Sequence, residues 1–373
     1  MRSGLPLLVL LSLLLGGCDR HAEEPQADFA VLAQADPAYA QASPERSLVF
    51  PADHGAHPDF RIEWWYLTAN LSDMEGRPWG LQWTLFRTAL RPPGSSVDNP
   101  WQSGQIYMAH FAVTAPDGHR AFQRYGRGGH DPAVAQAGAT AAPFAAWLDD
   151  WRLASQDTSW LPLRVQAAED GVAADLVLRS DRSLVLQGDQ GFSQKHAGGG
   201  GSYYYSQPWL EAEGTLHFAG QTVQVRGQAW LDREWSSQFL QPDQQGWDWF
   251  SLHLANGDKL MAFQLRPRHA GAEPYGYLVL HRQDGTRLEA RPGAWQLRPR
   301  RWAIVADRRL PLGWRLQWPE ADLDLAIEAG LEQQWMAVDF PYWEGRVEVT
   351  GPDGAAAGVG YLEMTGYPAG AAR

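Results

Sequence analysis

The sequence predicts an all-β protein built of two β-barrels in tandem, and three observations support this class. Apolar and polar residues alternate with period two in many short segments, which is typical of strands with one buried face. The chain has 38 glycines and 25 prolines and few long helical patterns, so many turns are expected. Its 373 residues exceed the usual size of a single core. Each half is long enough for roughly eight strands, which indicates two barrels.

Residues 1–17 are predicted to be a lipoprotein signal peptide. The apolar run Leu5–Leu15 is too short to span a membrane, and LGGC follows at residues 15–18. This tetrapeptide resembles a bacterial lipobox, which implies cleavage before Cys18 and acylation of its thiol; a plain secretory signal is the alternative. Cys18 is the only cysteine, so the chain can form no internal disulfide. We therefore expect a protein of the bacterial cell envelope, on the periplasmic side, anchored by lipid to the inner or outer membrane.

Residues 18–44 are predicted to be a flexible tether, because they are rich in alanine, proline, glutamine and acids and have little to bury. The formal net charge of the chain is −12. Affinity for nucleic acid rests on a basic surface, and none is visible, so nucleic acid is not expected as a partner. We divide the folded part into an N-terminal domain at residues 45–228 and a C-terminal domain at residues 229–373.

An irregular segment begins the folded part and brings several acids and histidines close together in the sequence. They are Asp53, His54, His57, Asp59 and Glu63. Their spacing matches no established metal-ligand pattern, so we predict no metal site and expect these side chains to bond backbone groups. Glu63 is the candidate functional acid of the group, since it directly precedes the aromatic pair Trp64 and Trp65.

The alternating pattern recurs along the rest of the chain, with turn signals between the segments. Strands are predicted at residues 79–86, 106–114, 163–165, 176–179, 184–187, 215–218, from 222 onward, and at 247–254, 259–265, 277–281, 314–318 and 346–350. In the second of these segments, His110 shares a face with apolar residues. Such a histidine is more often a satisfied core residue than a catalyst.

Three consecutive tyrosines follow a run of four glycines at residues 198–201. The run is not a phosphate loop, because no Gly-Lys-Ser/Thr ends it, and we expect a flexible rim loop. Alternation places Tyr203 and Tyr205 on one face and Tyr204 on the other. One face would line a cavity while the other packs, and we take Tyr203 and Tyr205 as candidate ligand-binding residues.

Residues 229–254 concentrate the groups that a site would need. The stretch contains Trp230, Asp232, Glu234, Trp235, Trp247, Asp248, Trp249 and His253. Alternation puts Asp232 and Glu234 on one strand face with Arg233 on the opposite face, whereas Asp248 alternates with the neighbouring tryptophans. Because an unpaired buried polar group costs about 1–3 kcal/mol, either a fully bonded polar network or a ligand pocket is expected here. The pattern leaves open which face lines the cavity.

Six motifs in a fixed order carry a family resemblance. They are FPADHGAHPDFRIEWWY, LQGDQGFSQK, SYYYS, AWLDREWSSQ, GWDWFSLHL and GYLEMTGY. Over residues 48–367 the chain resembles the carotenoid 1,2-hydratase (hydroxyneurosporene synthase, CrtC) and AttH-like family. The resemblance implies two lipocalin-like β-barrel domains, with the DREWSS segment near their junction, and a hydrophobic, often isoprenoid-like ligand. It also implies an ABC transporter of the lipoprotein-releasing type as a partner.

The same resemblance implies a hydro-lyase that adds water to a terminal C=C bond without a cofactor. An acid protonates the alkene and water captures the cation, which requires a protonated carboxyl group, an aromatic wall and a base. The candidate catalytic residues are Asp232, Glu234, Asp248 and Glu63. The candidate ligand-binding residues are Trp64, Trp65, Tyr203, Tyr205, Trp230, Trp235, Trp247, Trp249 and His253. The alternative is a non-catalytic lipid carrier, while the absence of a G-x-S-x-G motif argues against a serine hydrolase.

Overall fold

The computed structural model describes residues 36–95, 103–128, 135–269 and 271–370. The predicted signal peptide, the predicted lipidation site Cys18 and most of the predicted tether lie outside these residues. The described chain forms β-strands joined by turns, with short 3₁₀ helices at Ala52–His54 and Pro319–Ala321, and it contains no α-helix. Within it, no helix is long and apolar enough to cross a membrane. The predicted all-β class is confirmed.

The first sheet contains thirteen antiparallel strands. They are β1 Ile62–Asp73, β2 Pro78–Ala89, β3 Gln105–Ala115, β4 Gly118–Arg127, β5 Ala137–Ala141, β6 Phe144–Leu148, β7 Trp151–Ser155, β8 Leu163–Glu169, β9 Val172–Arg179, β10 Val185–Leu186, β11 Phe192–Gln194, β12 Gly201–Phe218 and β13 Gln221–Ser236. The order across the sheet is β4-β3-β2-β1-β13-β12-β9-β8-β7-β6-β5, and β10 and β11 both pair with β12. The two longest strands, β12 and β13, therefore lie in the middle.

The first sheet curves into a nearly closed barrel. At the end of β4 and the start of β5, the amide of Gln136 donates to the carbonyl of Arg127 at 3.0 Å. A Cβ added at Gly126 of β4 would lie 2.9 Å from Leu148 of β6, so the two ends of the sheet touch. The enclosed core is apolar and includes Trp65, Trp83, Phe111, Trp151 and Trp235.

The second sheet contains ten antiparallel strands. They are β14 Gln244–Leu254, β15 Lys259–Pro267, β16 Tyr275–His281, β17 Arg287–Glu289, β18 Gln296–Val305, β19 Arg308–Trp318, β20 Leu323–Ala329, β21 Trp335–Met336, β22 Tyr342–Thr350 and β23 Ala356–Met364. Their order is β17-β16-β15-β14-β23-β22-β20-β19-β18, with β21 paired to β22. This sheet has its own core around Phe250, Trp314 and Trp343.

Two-residue turns join several of the strands, as the sequence predicts. Asp170 and Gly171 connect β8 to β9, and Ala219 and Gly220 connect β12 to β13. All four residues have positive φ angles, which is the backbone of a type I′ hairpin turn. This turn matches the right-handed twist of strands, and glycine adopts it without steric cost.

The two sheets pack against each other over a third apolar cluster, which holds Trp230, Phe239, Trp249, Met261 and Phe263 among others. The outer faces of β1, β12 and β13 meet the outer faces of β14, β15 and β16 here. The chain passes from one sheet to the other at residues 237–243. The predicted domain boundary at residue 228 falls inside β13, because this strand stays paired with β1 as far as Ser236.

Candidate functional site

A cavity of about 390 Å³ lies between the two sheets. Its lining is mostly apolar and rich in aromatic side chains, as expected of a site for a hydrophobic small molecule. The aromatic lining residues are Trp64, Tyr66, Phe86, Tyr125, Tyr204, Phe239, Trp247, Trp249, Phe263, Phe340 and Tyr342. Charged or titratable groups also line this apolar space, among them Asp232, Glu234, Glu363, Lys195 and His110.

Strand β13 places the first two acids in the cavity. Asp232 lies opposite Tyr66 of β1, and Glu234 lies opposite Trp64. Since directly opposed residues of an antiparallel pair share a face, all four side chains point to the space between the sheets. The intervening Arg233 points the other way and bonds groups of the first sheet. The alternation predicted from the sequence is therefore present in this strand, with Asp232 and Glu234 on one face and Arg233 on the other.

Asp232 accepts three hydrogen bonds from neighbouring side chains. Tyr204 donates its hydroxyl to Oδ2 at 2.8 Å, Trp230 donates its indole N–H to Oδ1 at 2.7 Å, and Ser206 also donates to Oδ1. The residue is 2% exposed. Burial raises the pKa of Asp232 to about 7, against the opposing effect of its three hydrogen bonds, and the charge of Glu234 adds to the rise. The carboxyl group can therefore gain or lose a proton near neutral pH.

Glu234 has a different partner from Asp232. Lys195 places its ammonium 2.7 Å from Oε1 of Glu234, and Ser202 donates to the same oxygen. The ammonium also lies over the rings of Phe239 and Phe263, at 4.9 and 4.5 Å from their centroids. Glu234 is thus paired with a buried cation, and no such cation is bonded to Asp232 within the described part of the chain. Two neighbouring carboxyl groups in unlike environments are suited to acid and base roles respectively.

The second sheet adds two further acids. Glu344 of β22 and Glu363 of β23 are cross-strand neighbours. Tyr66 donates to Glu344 at 2.5 Å, and the indole of Trp247 donates to Glu363 at 2.9 Å. Burial raises the pKa of Glu363 to about 7, with contributions from the charges of Asp232 and Glu234, and burial beside Glu363 raises the pKa of Glu344 well above its usual range. Carboxyl groups from both sheets therefore compete for protons in one apolar space.

His110 occupies the opposite wall. Its Nδ1 lies 2.8 Å from the hydroxyl of Tyr342, and burial lowers its pKa to about 4, so the ring is neutral. The residue is therefore satisfied by a hydrogen bond, as its pattern in the sequence indicates, and it also lines the cavity. His110 thereby orients Tyr342. Among the described residues, the hydroxyl of Tyr342 is the only hydrogen-bond partner that the second sheet provides to His110.

Several predicted ligand-binding residues lie elsewhere. The first-sheet core contains Trp65, Tyr203, Tyr205 and Trp235. These side chains occupy the strand positions that alternate with the cavity-lining ones, so they point into the first barrel. Tyr204, not its two neighbours, reaches the cavity. Trp230 does not line the cavity but lies behind it, where it bonds Asp232.

Glu63 stands in β1 at the wall of the cavity, but its carboxylate does not face the cavity. Its carboxylate points into the first sheet, where the guanidinium groups of Arg87 and Arg233 pair with it and the backbone N–H of His57 donates to it at 2.9 Å. Although burial alone would raise it, the pKa of Glu63 is held well below its usual range by Arg233 and Arg87. This acid stays charged and has no access to a ligand in the cavity. We assign it a structural role in place of the predicted catalytic one.

Asp248 and His253 also fall outside the cavity lining. Asp248 is fully buried and is bonded by Arg266, by Gln264 at 2.8 Å and by the hydroxyl of Tyr367 at 2.9 Å. It alternates with Trp247 and Trp249, which do reach the cavity, so it faces away. His253 packs edge-on against Trp230 at 5.9 Å between ring centroids, and burial lowers its pKa well below its usual range.

Many residues of the site were not predicted from the sequence, and five of them bond the acids of the cavity or are themselves acids. They are Tyr66, Lys195, Tyr204, Glu344 and Glu363. Alternation offered a signal for Tyr204, and rarity offered one for Lys195, since the chain has only two lysines. The two glutamates come from distant strands that only the folded chain brings together. Among the described residues, no group of three or more His, Cys, Asp or Glu side chains is arranged to hold a metal ion.

The chain is similar to known proteins in its sequence and in its fold. A family model described as AttH-like matches residues 41–367. The chain is similar to the crystal structure of a protein from Nitrosomonas europaea described as AttH, with 35% identity and a TM-score of 0.77, over 88% of this chain and 100% of that one. No protein of curated function matches the sequence significantly.

More distant structures share the fold. Kievitone hydratase from Nectria haematococca is 14% identical, with a TM-score of 0.61 over 88% of this chain and 98% of that one. CghA with Sch210972 is 15% identical, with a TM-score of 0.51 over 90% and 97% of the two chains. Together with the two sheets, these likenesses confirm the predicted lipocalin-like, all-β fold.

Proposed function

The chain belongs to the AttH-like family, and from that premise we propose that it adds water to a C=C bond of a hydrophobic, isoprenoid-like ligand without a cofactor. The observation that carries this proposal is the environment of Asp232. A carboxyl group with a pKa of about 7 lies in an aromatic cavity, beside a second acid that is paired with a lysine. The chain also shares its fold with kievitone hydratase, which supports the proposal at the level of architecture.

Protonation of the alkene is the first step. Asp232 gives its proton to one alkene carbon, the π electrons form the new C–H bond, and the other carbon becomes a cation. The faces of Trp247 and Trp249 stabilise this cation. The hydrogen bonds from Tyr204, Trp230 and Ser206 then stabilise the aspartate that remains, because donors bind a carboxylate more strongly than a neutral acid.

Capture by water completes the addition. Water bonds to the cationic carbon and passes one proton to a base, for which Glu234 is the candidate. Among the described residues, both hydrogen-bond contacts of its carboxylate fall on Oε1, so Oε2 is available to accept that proton. Transfer of the proton back to Asp232 restores the starting state, and no electrons are exchanged.

Isotope labelling tests the reaction. We expect solvent extraction of the purified protein to release a hydrophobic ligand, and the protein incubated with that ligand in H₂¹⁸O to form a product heavier by one molecule of labelled water. Mass spectrometry identifies both compounds, and heat-denatured protein is the control. Recovery of the ligand unchanged after prolonged incubation would contradict the enzymatic function and leave the protein as a lipid carrier.

We also propose that Cys18 is acylated and anchors the protein in the bacterial cell envelope, where an ABC transporter of the lipoprotein-releasing type could contact it. Wild-type protein is expected in the detergent phase after phase separation, because an acylated N-terminus partitions into apolar surroundings. The Cys18→Ser variant should be released into the aqueous phase or retain its signal peptide, as shown by its mass. Wild-type protein that is aqueous and cleaved at another position would contradict lipidation.

A further inference from the structure

A second cavity, of about 590 Å³, lies between the two sheets toward the other ends of the same strands. Gln228 of β13 and Lys259 of β15 line this second cavity. Asp232 and Phe263, four residues further along the same two strands, line the aromatic cavity. We call this second space the polar groove. Charged and polar side chains make up most of its lining, whereas the lining of the aromatic cavity is mostly apolar.

Lys259 is the central group of the polar groove. It is only 3% exposed, and its ammonium donates to the neutral side-chain oxygen of Gln228 at 3.0 Å. No carboxylate of the described residues lies within ion-pair distance of this ammonium, and the neighbouring Asp258 instead accepts from the backbone of Gln283. The only other lysine of the chain, Lys195, has a carboxylate partner at 2.7 Å. Of two buried ammonium groups, one therefore lacks a counter-ion.

Burial without a counter-ion has an energetic cost. Removing a charge from water is unfavourable unless an opposite charge or several hydrogen bonds compensate. Burial accordingly lowers the pKa of Lys259 to about 8. An anion bound at this ammonium would supply the missing charge and use the donors that Gln228 leaves unoccupied.

The remaining walls of the polar groove define the size and charge of such an anion. A β-bulge between Gln207 and Leu210 of β12 turns Trp209 toward the polar groove, where its indole donates to the carbonyl of Gly257 at 3.4 Å. The guanidinium of Arg182 lies 5.8 Å from the centroid of the same ring. Bulges commonly redirect a side chain beside a binding site. The polar groove therefore offers an apolar ring and two cations without a carboxylate partner in the described residues, since its third cation, Arg179, is paired with Glu213.

Two acids, Asp181 and Glu211, also line the polar groove. They would repel a dianion such as phosphate more strongly than a monoanion. We propose that the polar groove is a second binding site, which takes a monocarboxylate with an apolar chain. Its carboxylate binds Lys259 and Arg182, and its chain lies against Trp209. This site is independent of the hydration reaction proposed for the aromatic cavity.

Lysine NMR tests the site directly. Protein labelled with ¹³Cε and ¹⁵Nζ in its two lysines gives at most two side-chain signals, and the Lys259→Met variant assigns them. Titration with hexanoate is expected to shift the Lys259 signal saturably and to raise the pKa of Lys259, while the Lys195 signal stays unchanged. An unshifted Lys259 signal, or equal shifts of both signals, would overturn the proposal.

Binding measurements on variants separate the contacts. Hexanoate affinity, measured by calorimetry, is expected to fall about tenfold or more in Lys259→Met and in Arg182→Met, because a hydrogen bond to a charged group contributes roughly 1.5–3 kcal/mol. Arg182 is exposed, so its variant tests the site without disturbing a core. The matched control is Arg298→Met, which removes an exposed arginine from β18 and should bind like wild type. Inorganic phosphate that binds more tightly than hexanoate, or unchanged affinity in both groove variants, would refute the assignment.

Discussion

The Asp232→Asn variant is expected to add water to its ligand about 10²- to 10⁴-fold more slowly than the wild-type protein, with little change in ligand retention. Asparagine preserves the shape of the side chain and can still accept from Tyr204 or Trp230, but it has no proton to give to an alkene. Rates of ¹⁸O incorporation and the amount of co-purified ligand measure the two properties. The control is Asp117→Asn, which alters an exposed acid of the β3–β4 turn.

The pH dependence of Asp232 follows from the direction of its shift. The pKa in the folded protein, about 7, lies above the ordinary value of 3.8. The rate should therefore fall as the pH rises through 7, because the proton-donating form is lost. The contribution of this group to stability is fully present below pH 3.8 and is lost as the pH rises toward 7, by about 1.4 kcal/mol per unit at most. The Asp232→Asn variant should not show this loss of stability with rising pH. If the same variant retained wild-type turnover at pH 6, Asp232 would be excluded as the acid.

The Glu63→Gln variant is expected to lower the free energy of unfolding by about 3–5 kcal/mol. The carboxylate neutralises Arg87 and Arg233, both 0% exposed, and glutamine would leave two buried guanidinium groups without a counter-ion. Urea unfolding at neutral pH, followed by circular dichroism, measures the change. The matched control is Glu75→Gln, an exposed acid whose loss should change stability by less than about 0.5 kcal/mol.

The same acid should make the fold sensitive to low pH. The pKa of Glu63 in the folded protein lies below its ordinary value of 4.5, so its stabilising effect is present above that pH and is lost as the pH falls. The wild-type protein should therefore lose more stability on acidification than Glu63→Gln. A loss below about 1 kcal/mol at neutral pH would show that the two arginines find other partners and that Glu63 is not a structural acid.

The fold could be predicted from the sequence because its signals are local. Alternation, Gly-containing turns and the motifs each depend on residues near one another in the chain. They predict strands at residues 79–86 and 247–254, and the structure has strands at both places. The position at which the chain passes from the first sheet to the second was harder to predict. The alternation of β13 continues without a break as far as Ser236, with Arg233 on the face of the first core and Trp230 on the face of the acids, so no local feature marks residue 237 as the end of the first sheet.

The site was only partly predictable because its walls come from distant strands. Asp232 and Glu234 stand in one strand, so alternation was sufficient to place them together. Glu363 lies more than a hundred residues later, and only the inter-sheet contact brings it to the same cavity. Tyr203 and Tyr205 show the limit of a period-two pattern. It separates two faces correctly, but it carries no information about which face meets the ligand when both are buried.

Strand β13 also has a consequence for how this protein can evolve. Its even-numbered residues from Trp230 to Ser236 face the inter-sheet space, and its odd-numbered residues from Ala229 to Trp235 face the first core. Point substitutions at even positions can alter ligand preference without touching that core. An insertion or deletion of one residue would instead exchange the two sets and place a guanidinium where the acids stand. We therefore expect new specificities to arise by substitution within the strand, and changes of length to be tolerated only in the turns.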